Sequence, residues 1–137
     1  SGKPTVTGAG RFVPVTELAA LPEDGTPVSL PVVVDAPRDA WNRMPPSQIG
    51  SVWLERQGEE VLAFSTICPH LGCGIDWESG KKRYVCPCHD SYFAPDGSVL
   101  TGPSPRGMDR LEARIVEGQV EVKFEKFVLG TAEKTPA

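Results

Sequence analysis

Cys68-Pro69-His70-Leu71-Gly72-Cys73 and Cys86-Pro87-Cys88-His89-Asp90-Ser91-Tyr92 are the two stretches on which the rest of the chain turns. Together they hold all four cysteines and both histidines of the protein. Thiolate and imidazole are metal donors, and two short loops carrying both read as one metal site. Cys68 and His70 are close enough in sequence to point at one atom from a single turn. Cys86 and His89 can do the same from the second loop, and Cys73 and Cys88 remain, one per loop. Three chemistries compete. Structural zinc takes tetrahedral Cys/His sets, but the six donors exceed one zinc site and fall short of two. A four-thiolate iron–sulfur cluster leaves both histidines without a purpose. A two-iron, two-sulfur cluster with two cysteines on one iron and two histidines on the other uses four residues and leaves two cysteines over for a disulfide. An unrelated disulfide framework stands behind all three.

Working outward, the flanking patterns are short and β-like. Val52–Arg56 and Val61–Phe64 around Gly58-Glu59 read as a hairpin leading into the first loop. Gly74–Trp77 and Arg83–Val85 are short strands joined by a turn over 78–82. There the basic run Lys81-Lys82-Arg83 reads as a solvated turn rather than a docking patch. Tyr92-Phe93 and Ser98–Leu100 flank an Asp96-Gly97 turn. Leu111–Ile115 and Gln119–Phe124 flank Glu117-Gly118 as a last hairpin. Nearer the start, Arg11–Val15 reads as a strand, and Thr16 can cap a helical turn over Glu17–Leu21 that Pro22 ends. Val28–Val34 is a strand whose Pro31 marks an edge or a bulge. Residues 35–49, with three prolines, read as an insertion with one helical turn, Trp41 serving as a local plug.

The chain has 137 residues, with 14 glycines and 14 prolines, and helix-period apolar patterns are almost absent. That combination predicts one all-β domain with many turns. A net charge of −4 argues against a nucleic-acid partner. The longest apolar runs, such as Val32-Val33-Val34, are too short to cross a membrane, and no signal peptide is visible.

The two boxes resemble those of Rieske iron–sulfur proteins, specifically those of cytochrome bc1 and b6f complexes. Gly102-Pro103-Ser104-Pro105 is similar to that family's proline loop, which covers the cluster. The resemblance is tight over residues 66–106 and looser in the flanking strands. One position departs from it: the family usually has glycine after the second histidine, and this chain has Asp90. A glycine there can serve a positive φ, which Asp tolerates better than most residues. A carboxylate facing the cluster would lower the potential; the reading preferred here is a solvent-facing loop residue.

The resemblance implies an antiparallel β-sandwich base domain from residues 11–65 and 108–130. A small cluster-binding subdomain, 66–107, is then inserted between two base strands, with 1–10 a hinge remnant and 131–137 a loose tail. It implies a [2Fe-2S] cluster, with Cys68 and Cys86 on one iron and His70 and His89 on the other. It also implies a disulfide between Cys73 and Cys88, and hence an oxidising compartment. Ser91 and Tyr92 stand where the family places hydroxyl donors, the serine to a bridging sulfide and the tyrosine to a ligand cysteine sulfur. Replacing two thiolates by neutral imidazoles removes two negative charges, so an added electron is less repelled. Potentials of such centres span about −150 to +300 mV, against roughly −400 mV for plant-type clusters with cysteine ligands alone.

The function implied is that of the Rieske subunit of a quinol-oxidising respiratory or photosynthetic complex. A histidine edge, His89 first and His70 with it, meets quinol in the site of a cytochrome b subunit. An electron and a proton are accepted there, and the electron passes to a c-type cytochrome or an equivalent plastocyanin-like acceptor. The head would carry no complete active site of its own. It would work on the extracytoplasmic, periplasmic side of an energy-transducing membrane, held by an N-terminal helix missing from this chain, whose Ser1-Gly2-Lys3-Pro4 start looks like a mature fragment. Three rivals remain. A soluble Rieske ferredoxin of an oxygenase system generally lacks the second cysteine pair. The small subunit of arsenite oxidase can carry similar boxes, although the proline loop favours the bc type. A zinc-stabilised binding module would have no redox role.

Overall fold

A computed structural model describes residues 10–35 and 45–137. Ten strands alternate with tight turns: β1 (Phe12–Glu17), β2 (Val28–Val34), β3 (Ser47–Gln57), β4 (Glu60–Ser65), β5 (Asp76–Glu78), β6 (Arg83–Cys86), β7 (Ser91–Phe93), β8 (Val99–Thr101), β9 (Arg110–Val116) and β10 (Gln119–Lys123). One six-stranded sheet has the order β1-β10-β9-β4-β3-β2, and a second sheet of four has the order β5-β6-β7-β8. The pairings described are antiparallel. The all-β expectation holds. β4 and β9 are neighbours in the first sheet, and all strands of the second sheet lie between them in sequence.

The chain divides into two compact units inside those same two strands. The first takes the chain through Ala63 plus Glu112–Phe124; the second takes Phe64–Leu111 plus Glu125–Ala137. The first unit is built by strand alternation. Val120 and Val122 in β10, Val52 and Leu54 in β3 and Val32 in β2 are fully buried, with less buried residues between the members of each pair. This is the period of a strand with one face inward. Pro31 is exposed on β2, which forms an edge of its sheet, where a residue without an N–H is tolerated; the bulge follows at Val32/Val33. Gly50 sits where a Cβ would lie 2.2 Å from Cζ of Phe124, a ring only 3% exposed. The turn between β9 and β10 places both Glu117 (φ 50°) and Gly118 (φ 78°) in the left-handed region, the conformation of a tight two-residue hairpin.

The second unit has its own apolar centre in Phe64, Ile75, Tyr84, Phe93, Met108 and Leu111. Tyr84 meets Phe64 and Trp77 edge-on, at centroid distances of 6.1 and 4.8 Å. Gly97, with φ 88°, lies flat against the Phe64 ring.

Five expectations change. Thr16 is not a helix cap: it pairs with Val120 inside β1, which runs on to Glu17. The helical turn shrinks to the 3-10 segment Leu18–Ala20, with no side-chain cap, because the ladder to β10 takes the residues before it and the Leu18 amide bonds Gly118 O. β3 begins at Ser47, so 47–49 belong to a strand rather than an insertion; the proposed helical turn and the Trp41 plug lie outside the described residues. Residues 125–130 group with the second unit, not with the base. Residues 131–137 are not loose. Phe127 bridges to Pro136, Val128 N–H donates to Thr135 O, and Ala137 N–H donates to Lys126 O. Exposed side chains hid this, because the order comes from backbone groups.

The fold predicts one sharp packing failure. Gly50→Ala forces Phe124 out of its place, and overpacking of this kind costs about 1–3 kcal/mol. The denaturant midpoint should fall accordingly, and a midpoint equal to that of the parent protein would show that the ring yields freely.

Candidate metal centre

Each box becomes a loop pinned at its root by backbone hydrogen bonds. In the first, Cys68 N–H donates to Cys73 O at 2.7 Å and Gly72 N–H to Cys68 O at 3.0 Å, with Ile67 and Gly74 bridging below. Gly72 takes φ 87°, which the tight return requires. In the second, Cys86 pairs with Ser91 at the adjoining ends of β6 and β7, and residues 87–90 form the turn beyond. Asp90 has φ 56° and is exposed, so the residue standing where glycine is usual keeps the left-handed backbone and turns its carboxylate to solvent. A disulfide joins Cys73 to Cys88. In the chain-entropy account a cross-link of this span stabilises the fold by about 3 kcal/mol.

Cys68 and Cys86 are free thiols, 0% and 2% exposed, within hydrogen-bond reach of each other. Burial pushes the Cys68 thiol from its usual 9.0 up to about 11, against the pull of the His70 backbone amide, with Cys86 adding to the rise. At the outer end the rings of His70 and His89 stand 5.0 Å apart at 78°, His70 half-buried and His89 exposed. Among the described residues no three His, Cys, Asp or Glu side chains gather for one ion. The donors come instead as a buried thiol pair and an outward imidazole pair. A mononuclear tetrahedral site does not match that layout; two metal atoms with two protein ligands each do. Backbone amides of His70 and Leu71 directed at the Cys68 sulfur suit a bound thiolate.

The proline loop closes over the second box. Gly102 has φ 113°, and a Cβ on it would lie 2.4 Å from Cα of Ser91 and 2.6 Å from Asp90 O. Ser104 N–H donates to Oγ of Ser91 at 3.1 Å, and the Ser104 hydroxyl donates to Arg106 O at 2.8 Å. Pro103 is exposed and Pro105 half-buried. Ser91 is fully buried; with its Oγ accepting from Ser104, its hydrogen is left to donate. Register puts Ser91 opposite Cys86, on the same face of the sheet.

Tyr92 does not join them. Side chains alternate along β7, so Ser91 and the fully buried Phe93 face one way and Tyr92 the other. The Arg83 guanidinium covers its ring 3.9 Å from the centroid and pairs with Glu78 at 2.7 Å. The expected pair of hydroxyl donors therefore reduces to Ser91. Adjacent positions in a strand cannot serve one face, a parity that β assignment of residues 92–93 already contained. Lys81 and Lys82 are exposed on the turn before Arg83.

Two loops tied by a disulfide, buried thiols beneath and paired imidazoles at the surface, fit a binuclear iron–sulfur site with both thiol and imidazole donors. The chain belongs to the Rieske family: the Rieske [2Fe-2S] domain matches residues 13–121, so the cofactor is a [2Fe-2S] cluster rather than zinc. It is 36% identical over 84 residues to the menaquinol:cytochrome c reductase iron-sulfur subunit of Bacillus subtilis (strain 168), covering 58% of this chain and 49% of that protein. It is 34% identical over 73 residues to the cytochrome b6-f complex iron-sulfur subunit of Chlorobaculum tepidum, covering 53% of this chain and 40% of that one. The chain thus spans under half the length of these relatives. Among solved structures it resembles the cyanobacterial plasma membrane Rieske protein PetC3 from Synechocystis PCC 6803. That match has TM-score 0.57 and 26% identity over 82% of this chain and 99% of that one. The ferredoxin of carbazole 1,9a-dioxygenase from Nocardioides aromaticivorans IC177 shares the fold, with TM-score 0.51 and 18% identity over 81% of this chain and 95% of that one.

The buried thiol gives a test on metal-free protein. A thiol raised in the folded state keeps its proton where the unfolded chain has lost it. Its contribution is complete below about pH 9 and is lost as pH rises toward about 11. Melting temperature of the cluster-free protein should fall over that window, and Cys68→Ser should flatten the fall. An equal fall in both proteins would assign it to other groups.

Proposed function

We propose that this chain is the head of a quinol-oxidising complex, with Cys68 and Cys86 holding one iron of its cluster and His70 and His89 the other. The observation that carries the reading is the pairing of a loop-clamping Cys73–Cys88 disulfide with an outward imidazole edge. Rieske ferredoxins generally lack that second cysteine pair. The relatives named as menaquinol:cytochrome c reductase and cytochrome b6-f subunits support it. When bound, the cluster supplies one-electron transfer at a potential raised by imidazole ligation. The residues do the rest. Each ligand histidine would commit one ring nitrogen to metal and leave the other facing outward, a donor while it carries its proton and an acceptor once it has lost it. His89, the more exposed, would meet a quinol hydroxyl in a cytochrome b subunit, its outward nitrogen, when deprotonated, taking the proton that leaves with the electron. A c-type cytochrome or equivalent then receives the electron. Ser91 donates its hydroxyl hydrogen to a sulfur, favouring the reduced state. The setting is the extracytoplasmic side of a membrane; no helix among the described residues is long and apolar enough to cross one.

Proton-coupled reduction decides between carrier types. Protein-film voltammetry from pH 6 into strong alkali should show the midpoint falling with pH, toward roughly 59 mV per unit where one proton accompanies one electron. A flat potential to about pH 10 would place the protein with simple electron-transfer ferredoxins. Side-chain parity separates the hydroxyls. Ser91→Ala should lower the midpoint with the cluster spectrum intact, whereas Tyr92→Phe should leave it unchanged. A drop in Tyr92→Phe matching that in Ser91→Ala would put the phenol on the cluster side after all.

A further inference from the structure

Arg106 follows the proline loop and lies outside both boxes, yet it is one of the best-satisfied charged groups of the second unit. Its side chain is 8% exposed and that of Asp109 is 4%. Nε and Nη2 hold the two carboxylate oxygens of Asp109 at 2.8 and 2.9 Å. Nη2 also donates to Val128 O at 2.8 Å, and Nη1 donates to Thr131 O at 2.7 Å, Thr131 Oγ1 at 3.2 Å and Glu133 O at 3.3 Å. Four bonds thus go to the C-terminal segment, and Lys134 adds another to Arg110 O. The guanidinium fork holds that segment as a hook.

The hook in turn rests on the first ligand loop. Gly130 N–H donates to Pro69 O at 2.7 Å. Leu129 packs so closely on Gly72 that a Cβ there would meet its Cδ1 at 3.0 Å, and a Cβ on Gly130 would stand 3.6 Å from His70 O. The contacts fall on the backbone of Pro69, His70 and Gly72, between and beside the two donors of that loop. The second loop already has the proline loop against it; the hook is the corresponding support for the first.

We propose that Arg106 is a positioning residue for the first ligand loop, acting through the 128–133 hook. The proposal rests on the ligand reading only in what the loop presents, Cys68 and His70; the mechanical link stands on the contacts alone. Arg106 sets the hook, the hook sets Pro69 O and Gly72, and these hold the arc from which thiol and imidazole project. Lysine cannot replace it, since one ammonium cannot grip both carboxylate oxygens and three carbonyls in a fixed fork.

The test is amide hydrogen exchange on the full chain carrying its cluster, together with the rate at which a chelator strips iron. Arg106→Ala should speed exchange at Gly130 and across 68–73 by at least about tenfold, leave the β6–β7 amides as they are, and speed iron loss. Arg106→Lys should fail to restore either rate. Because Arg106→Ala leaves Asp109 buried without its partner and can unfold the unit, Leu129→Ala is the second variant: it removes only an exposed side chain lying on Gly72. It should speed exchange at 68–73 in the same local pattern. Unchanged exchange at 68–73 in the folded variants overturns the proposal, as does acceleration spread equally over β6 and β7, or full rescue by lysine. Pulsed EPR of the parent protein reads nitrogen ligation independently. Its absence would sink the ligand reading while exchange still decides the brace.

Discussion

Two thiols packed side by side out of water cannot both ionise unless a cation sits with them. Cys68 and Cys86 are in that position, and burial holds the Cys68 proton well above its ordinary range. On the ligand assignment proposed above, iron would turn this arrangement from a cost into a bond. The neighbouring architecture then becomes intelligible: each loop is pinned at its root by backbone hydrogen bonds, and the two are joined by a disulfide between their outer cysteines. These constraints come from protein groups alone, and they lower the cost of ordering the loops around a metal.

The β architecture and the chemistry of the loops were readable in the residues for separate reasons. Donor identity is a property of side chains, and six donors in two boxes leave few ways to count. Strand positions followed from period-two alternation, as in Val120 and Val122, and from turn pairs such as Glu117-Gly118. What escaped reading depends on partners distant in sequence. Nothing near Arg106 signals that its guanidinium will collect carbonyls from Val128 to Glu133, because carbonyls have no sequence identity. The C-terminal residues have no apolar pattern, and so read as loose. Thr16 looked like a cap because capping is local, whereas its pairing with Val120 is not. Tyr92 is a different kind of miss. The strand is legible over 92–93, and its alternation already sets neighbouring side chains on opposite faces.

The same parity shows how neighbouring residues of one box take different surroundings. Ser91 and Phe93 turn into the second unit, the serine toward Cys86 and the proline loop, while Tyr92 takes the opposite face under Arg83. A hydroxyl placed on the inner face next to a buried sulfur meets little competition from water, so its hydrogen bond is stronger than it would be at the surface. One on the outer face is exposed to that competition. Position along a three-residue strand therefore sorts which side chain can tune the centre and which can only pack.

Exposure across the site is graded in the sense that the proton-coupled role proposed above would require. The thiols are sealed and the half-buried His70 is intermediate, while His89 reaches solvent, flanked by the exposed residues Cys88 and Asp90. Sealing the thiol side protects it from competing water and fixes its electrostatics. Opening the imidazole side gives a donor or acceptor of a proton direct access to a ring nitrogen. A site sealed on every side could pass electrons but would have no route for the proton. A site open on every side would expose its sulfurs to water and oxidation. The two loops resolve this by presenting different residue types at different depths: cysteine at the strand-anchored roots, and histidine two or three residues further along, where the chain has already turned outward.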